Sequence, residues 1–286
     1  MAALRSLRAE SRRAGQRASP RGQSGRLSTG AGRMALPWIV PLGLLGFWWL
    51  AIERQWVLPH QLPPPQQVLD TFAELLVRGE LIQHVTATVG RLLTGYGLGA
   101  APGILLGIMA GMSPPFRRLV DPTVQGVRAV PSLAWVPLFL LWFGIGEQAR
   151  VLLIALGAFL PVYFNTVAGV GGVDRRLVEV GQAYGFGGGA ILWRIVLPAA
   201  LPGIFTGLRA GLSLGWMFVV AAELIAANNG LGFLLVEGQA TMRPDRVLAS
   251  LIAFAALGRL SDALLEEIER RVLHWRDTVA TAEEEV

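Results

Sequence analysis

EVGQAYGFGGGAILWRIVLPAALPG, residues 179–203, lies between two long apolar blocks, 151–170 and 204–227, and resembles neither of them. The stretch carries two charged residues, Glu179 and Arg194, together with six glycines and two prolines. Each flanking block approaches the roughly 20 apolar residues that cross a bilayer as a helix. A segment of this kind between two such blocks is a connection on one side of a membrane, so the stretch indicates a series of spanning helices.

The same stretch predicts two short helices at a sharp angle. Asp174 is of the residue type that caps a helix N-terminus, and Gly185 is of the type that ends a helix. A second helix over 190–196 would stop at Leu197, because the residue before a proline, here Pro198, avoids the α region. A protruding segment with an apolar side indicates a protein partner.

The composition predicts an all-α, polytopic membrane helix bundle. Of the 286 residues, 53% are hydrophobic and 16% are charged, and the mean hydropathy is +0.50, whereas a soluble domain carries about 25% charged residues. Lipid offers backbone groups no hydrogen-bond partners, so each span must be a helix. Pro131 and Pro137 should bend or break the third span. The six candidate spans are 35–52, 89–112, 122–143, 151–170, 204–227 and 247–265.

The distribution of arginine orients the predicted spans. All 25 basic residues are Arg, and sixteen of them lie in the segments that share a side with the N-terminus. An excess of positive charge marks the cytoplasmic side, which predicts that both termini are cytoplasmic. The predicted organisation is a basic, disordered cytoplasmic tail over 1–34, a six-helix domain over 35–265 with an uncleaved first span and a cytoplasmic loop at 171–203, and a cytoplasmic C-terminal tail over 266–286.

The residue inventory excludes several kinds of chemistry. The chain has no Cys and three scattered His, so we expect neither a metal site nor a cofactor. A phosphate-binding loop of the G-x-x-x-x-G-K-[ST] type requires Lys, which the chain lacks, so we expect any ATP hydrolysis on another chain. No basic stripe is interleaved with aromatic residues, which argues against nucleic acid. The chain is therefore not predicted to be an enzyme.

The opening stretch resembles a motif of the importer-type permeases of ATP-binding-cassette transporters. Their cytoplasmic motif reads E-A-A-x-x-x-G, nine residues, I-x-L-P, and the spacing matches throughout. Val180 and Gly181 stand where the family favours two alanines, which enlarges one contact and loosens the helix. The resemblance implies that these residues couple the chain to an ATPase: Glu179, Val180, Gly181, Gly185, Ile195, Leu197 and Pro198.

The resemblance extends over most of the chain after the basic tail. The segments LPPPQQVL (62–69), VPSLAWVPLFLLWFGIGEQAR (130–150) and VVAAELIAANNGLGFLL (219–235) are similar to permeases for aliphatic sulfonates, taurine and nitrate. The resemblance implies a type I (MetI-like) importer permease with six transmembrane helices in a bacterial plasma (inner) membrane.

The same resemblance implies partners and a substrate class. We expect two ATP-binding subunits on the cytoplasmic side and a substrate-binding protein on the extracytoplasmic side. We also expect a second copy of the permease, which would form a homodimer with the first. Aliphatic sulfonates are the expected cargo, and taurine, nitrate or another small anion are the alternatives. A secondary transporter is the alternative class; it would show an inverted repeat, and the two halves of this sequence show no such correspondence.

Five residues are candidates for the translocation path. A charge in mid-span is costly in lipid, so Arg128 either attracts an anion or satisfies carbonyl groups freed by nearby prolines. Glu223, near the outer end of the fifth span, either pairs with an Arg or gates the outer mouth. The tryptophans either line the path or pack in the core or at the interface. The candidates are Arg128, Trp135, Trp142, Trp216 and Glu223.

Three further predictions concern packing. Arg91 and Arg209 lie near span ends, so we expect their guanidinium groups to extend to the membrane interface. The glycines of the second span should let helices approach closely within the bundle, with a dimer contact as the alternative. The amphipathic segment 66–77 should lie on the outer membrane surface.

Overall fold

A computed structural model describes residues 30–58, 61–131, 134–226 and 228–275, with side chains omitted at 30–38 and 226. Residues 1–29 of the predicted basic tail and 276–286 of the predicted C-terminal tail lie outside these residues, whereas 30–34 belong to a helix that continues into the first predicted span, and 266–272 belong to the last helix. The described residues form helices and their connections, without a strand, which confirms the all-α prediction. Helix α1 belongs to a unit that ends at Trp56, and the remaining helices belong to a second unit.

The helices follow one another with short connections. In chain order they are α1 (Gly30–Glu53), α2 (Pro65–Val77), α3 (Glu80–Met112), α4 (Pro114–Ala129), α5 (Trp135–Phe143), α6 (Glu147–Gly171), α7 (Arg175–Ala183), α8 (Gly188–Ile191), a π-helical turn (Leu192–Val196), α9 (Leu197–Ala226), α10 (Leu231–Ala240) and α11 (Pro244–Val272).

Four helices in the described part of the chain are long and apolar enough to cross a membrane. They are α3, α6, the continuous helix Gly188–Ile225 and α11, and they correspond to the second, fourth, fifth and sixth predicted spans. The first predicted span lies in α1, of which Ile39–Glu53 is a shorter apolar helix. The predicted count of six is therefore confirmed for four spans.

The third predicted span is two helices rather than one. Helix α4 ends at Ala129, and Val130 has an extended backbone (φ −77°, ψ 126°) before α5 begins at Trp135. Pro131 lies in this break, as predicted. The prediction for Pro137 is wrong, because this proline occupies the first turn of α5, where a missing N–H costs the helix nothing.

Glycines allow α3 to lie directly against α6. Gly95, Gly99, Gly103, Gly107 and Gly111 recur every four residues and share one face of α3. A Cβ added at Gly99 would collide with the Ala155 carbonyl group, and one at Gly107 would lie 2.6 Å from Cβ of Thr166. The stripe therefore packs within the bundle, which confirms the prediction over the dimer alternative.

The segment 66–77 is helical, as predicted, and forms most of α2. Val68, Thr71 and Leu75 are buried, and Leu75 packs in a cluster with Leu81 of α3 and with residues of α10 and α11. Leu76, next to Leu75 on the same helix, is exposed. One side of α2 is therefore covered by the bundle itself, and its place on a membrane surface remains a prediction.

Candidate functional site

The first half of the opening stretch folds as predicted. The carboxylate of Asp174 caps α7 by accepting the N–H of Arg176 at 2.9 Å. Gly185 follows α7 with φ +79°, in the left-handed region that favours glycine, and its N–H donates to the Gln182 carbonyl at 2.9 Å. The chain therefore reverses direction at a position where a residue with a side chain would be strained.

The second half corrects the prediction that the helix stops at Leu197. The backbone stays helical from Gly188 through Pro198 to Ile225. In the π-helical turn the Leu197 N–H donates to the Leu192 carbonyl, five residues earlier. A π turn widens the helix and shifts its hydrogen bonds by one residue, which makes room for the ring of Pro198 and absorbs its missing N–H. The second arm is therefore the inner end of a long helix, not a separate short one.

We call residues 174–198 the knob. Its first arm is α7, and its second arm runs from Gly188 to Pro198. The two arms meet at Gly181 and Ile195, both residues of the motif. A Cβ added at Gly181 would strike Cδ1 of Ile195, so glycine at 181 allows the close approach. The Phe186 N–H donates to the Gly181 carbonyl at 3.0 Å. Beneath the arms, Ile191 and Val196 are buried in an apolar cluster, against which Val178, Phe186, Leu192, Leu197 and residues of α6 and α9 pack. Gly181, Ile195 and Leu197 thus hold the knob together.

The outward side of the knob is apolar. Leu177, Val180 and Tyr184 share one face of α7 and are 48%, 54% and 79% exposed, and Trp193 on the second arm is 70% exposed. Glu179 is exposed beside them and accepts a hydrogen bond from Arg175 at 3.1 Å. Such an exposed pair contributes little to folding, and the side chain of Val180 is also more exposed than buried.

Four of the five path candidates are placed in three different surroundings. Arg128 lies exposed in the last turn of α4, with its guanidinium carbon 4.8 Å from the centre of the Phe164 ring. Trp135 and Trp216 are half-buried and pack against one apolar cluster, and Trp216 donates to Ser261 Oγ at 2.9 Å. Trp142 is exposed on α5.

A hydrogen bond joins α4, the helix that carries Arg128, to α6. The hydroxyl of the buried Tyr163 donates to Asp121 Oδ1 at 2.5 Å, and Nε of Arg117 donates to Oδ2 of the same carboxylate at 2.9 Å. Asp121 is therefore occupied by two donors. Arg128 makes its described contact with an aromatic face instead of a carboxylate.

Glu223 is buried in an ion pair, which confirms the alternative that it pairs with an Arg. It accepts from Arg91 NH1 at 2.6 Å, from Thr88 Oγ1 at 2.9 Å and from the Gly232 N–H at 2.8 Å. The Gly232 N–H lies in the first turn of α10, where helix N–H groups lack partners and a negative charge is favourable.

The prediction that Arg91 extends to the interface is wrong. Its side chain is 5% exposed and donates to Glu147 at 2.7 Å and 2.6 Å, to Glu223, and to both the side chain and the backbone carbonyl of Asn229. We call Arg91, Thr88, Glu147, Glu223 and Asn229 the Arg91 cluster. The sequence feature that could have indicated this cluster is the presence of Arg91, Glu147 and Glu223 within or beside otherwise apolar blocks.

Two further charged groups join helices at opposite ends of the bundle. Arg209 of α9 donates twice to Asp262 of α11 at 3.1 Å, so it is engaged within the bundle while remaining partly exposed. Near the start of α11, Asp245 accepts from Thr71 at 2.7 Å and from Arg243 at 2.6 Å. The hydrogen bond to Asp245 raises the pKa of the Arg243 guanidinium above its ordinary value, so this pair stays charged.

Known proteins resemble this chain over most of its length. A model of the family described as "binding-protein-dependent transport system inner membrane component" matches residues 103–274. The putative aliphatic sulfonates transport permease protein of Bacillus subtilis is 38% identical over 240 residues, 84% of this chain and 87% of that protein. The taurine transport system permease protein of Escherichia coli is 39% identical over 241 residues, 82% of this chain and 88% of that protein.

A solved structure shows the same fold. An inward-facing conformation of the MetNI methionine ABC transporter matches with a TM-score of 0.59 and 21% identity. The match covers 67% of this chain and 95% of that chain.

Proposed function

Because the chain belongs to the family of binding-protein-dependent transport system inner membrane components, the permeases of ATP-binding-cassette importers, we propose that it forms the translocation path for aliphatic sulfonates. The observation that carries this substrate is the similarity to the aliphatic sulfonates permease, which covers most of both chains. Taurine, itself a small sulfonate, is the second candidate, since the taurine permease is equally similar.

Arg128 is the proposed cation on the path. A sulfonate keeps its negative charge at physiological pH, so a path across lipid must offset its lost hydration. The guanidinium of Arg128 is exposed over the face of Phe164, and two residues later the helix breaks at Val130. An arginine beside freed backbone groups offers an anion a weak, transient attraction. Trp142, exposed on α5, is a further path candidate, whereas Trp135, Trp216 and Glu223 are engaged in packing or in an ion pair.

The knob is the proposed docking site for an ATP-binding subunit. Its exposed face carries Leu177, Val180, Tyr184 and Trp193 with no covering group among the described residues. Large aromatic side chains of this kind dominate the energy of protein interfaces. The spacing from Glu179 to Pro198 matches the coupling motif of the family. In this proposal the knob and both termini are cytoplasmic in a bacterial inner membrane.

The assembly that this requires has further members. Two ATP-binding subunits would bind two permease copies, one at each knob, and a substrate-binding protein would deliver the anion to the outer side. The proposed role of the chain is therefore passage and coupling, while capture and ATP hydrolysis belong to the partners.

Uptake into proteoliposomes tests the substrate. The permease is reconstituted with its ATP-binding subunit, its binding protein is added outside, and ATP is enclosed. We expect ATP-dependent uptake of labelled ethanesulfonate. Unlabelled longer alkanesulfonates should inhibit this uptake more strongly than taurine does, and nitrate should not inhibit it. Preference for taurine would select the second candidate, and competition by nitrate alone would contradict both. Uptake driven by an ion gradient without ATP would indicate a secondary transporter.

A further inference from the structure

The connection between α9 and α10 is held by side chains of α3. The Gly230 N–H donates to Nδ1 of His84 at 3.0 Å, and the Leu231 N–H donates to Thr88 Oγ1 at 2.8 Å. His84 is 8% exposed, and its ring centre lies 5.9 Å from that of Phe233. The start of α10 is therefore tied to α3 through an imidazole and a hydroxyl.

The bond from Gly230 fixes the chemical state of His84. A backbone N–H can only donate, so Nδ1 must be the ring nitrogen that carries no proton. An imidazolium carries a proton on both nitrogens, so protonation would set two donors against each other. It would also leave the buried Gly230 N–H without an acceptor. The bond therefore exists only while the ring is neutral.

The charged groups around this connection are already matched. Toward the bundle, Arg91 pairs with Glu223 and Glu147. Along α3, α10 and α11, Arg246 lies 3.5 Å from Glu80 and 3.1 Å from Glu237. Carboxylates and guanidinium groups ordinarily keep their charge between pH 5 and 8, whereas imidazole changes its charge in that range. The imidazole in these surroundings is that of His84, and its Nδ1 accepts the Gly230 N–H.

We propose that His84 is a positioning residue that holds the 228–230 connection against α3 only while its ring is neutral, so that mild acid releases this connection. The bond forms with the neutral ring and is lost when the ring gains a second proton. In the orientation proposed above, this end of the bundle faces the external medium, so the acidity sensed is that outside the cell. The proposal does not depend on which anion is carried.

Hydrogen–deuterium exchange on the full chain in lipid nanodiscs tests the proposal. Exchange is measured for peptides covering 228–234 at pH 7.5 and pH 5.5, corrected for the intrinsic pH dependence of amide exchange. We expect about tenfold faster corrected exchange at pH 5.5, the effect of losing one buried hydrogen bond, with peptides of α6 unchanged. Equal corrected exchange at the two pH values would overturn the proposal.

Two variants separate the proton from the bond. His84→Asn keeps an acceptor oxygen that does not titrate, so the difference between the two pH values should disappear. Persistence of that difference in His84→Asn would refute the assignment. His84→Ala removes the acceptor and should exchange rapidly at both pH values; slow exchange would show that the imidazole does not hold the connection. His274→Asn, the matched control, removes an exposed imidazole outside this connection and should behave as the wild type; loss of the pH effect there would also overturn the proposal.

Discussion

At the scale of single residues, the chain contains two arginines of opposite character. Arg91 is buried and all its N–H groups have acceptors among Glu147, Glu223 and Asn229. Arg128 is exposed and its described contact is the Phe164 ring. A buried arginine with complete hydrogen bonding is part of the folded framework, whereas an exposed one in a membrane protein is available to a passing anion.

Replacing Arg91 should destabilise the fold. Arg91→Gln leaves the buried Glu223 carboxylate without its cation, which costs about 3–5 kcal/mol of unfolding free energy. The measurement is the midpoint of unfolding in detergent, followed by size-exclusion chromatography after heating. Arg175→Gln removes the exposed pair with Glu179 and should change the free energy by less than about 1 kcal/mol. Similar midpoints for the two variants would contradict the framework role.

Replacing Arg128 should slow transport without unfolding the protein. Arg128→Gln removes the cation over Phe164 and should lower the uptake rate about tenfold, equivalent to about 1.4 kcal/mol of barrier. Binding of substrate to the binding protein and stimulation of the ATPase should be retained. Arg118→Gln, a neutralised arginine on the same helix, is the control. If Arg128→Gln fails to fold or to associate, Arg128 is a structural brace.

At the scale of helices, close backbone approach decides two contacts. Along α3 and α6, glycines spaced by four residues bring the helix axes together. In the knob, Gly181 lets α7 lie on Ile195, and Gly185 supplies the reversal between the arms. Both contacts depend on the absence of a side chain, so single substitutions test them directly.

The angle between the arms of the knob should depend on Gly185. Gly185→Val places a branched residue at φ +79°, which costs about 1–2 kcal/mol and favours a different turn. We expect weaker association with the ATP-binding subunit in pull-down assays and uncoupled transport, with normal membrane insertion. Gly187→Val is the matched control, because its φ is −72° and the added Cβ meets open space. Full association and transport in Gly185→Val would show that the turn geometry is unimportant for docking.

The contact between α3 and α6 should be equally sensitive. Gly99→Ala drives a methyl group into the Ala155 carbonyl and should cost about 1–3 kcal/mol. Gly97→Ala points into open space and should be neutral or stabilising, since alanine favours a helix over glycine by about 1 kcal/mol. Thermal midpoints of the two variants provide the comparison, and a Gly99→Ala midpoint equal to or above that of Gly97→Ala would argue against the packing role.

Local signals were predictable from the sequence, and long-range partners were not. Asp174 and Gly185 act on neighbouring backbone, so their residue types predicted the start and end of α7. The continuation past Pro198 was missed because a π turn, which no residue type announces, absorbs the proline. Arg91 was misplaced because its carboxylate partners lie 56 and 132 residues away along the chain.

At the scale of the whole molecule, the described helices have the length and composition of a membrane-spanning protein. Four described helices can span a membrane, and no group of His, Asp or Glu in the described residues could hold a metal ion. The complete sequence contains no Lys, so a lysine-dependent phosphate loop cannot form. In the proposed function, a partner therefore supplies the energy for import.

The isolated chain should be inactive toward ATP. Purified alone in liposomes, it should hydrolyse no ATP above the rate of empty liposomes and accumulate no substrate. Adding the ATP-binding subunit should restore hydrolysis, and the binding protein should restore uptake. Hydrolysis by the isolated chain that survives further purification would show that the permease carries its own nucleotide site.

The unbroken helix from Gly188 to Ile225 joins the knob at one end to the Arg91 cluster near the other. At 1.5 Å per residue, its 38 residues make a rod about 57 Å long. A rigid helix of this length that tilted by about 5° around its midpoint would move each end by about 2.5 Å, in opposite directions. A displacement of Trp193 would then be accompanied by a displacement of Glu223 of comparable size. The π turn is the position at which such a helix would bend most easily.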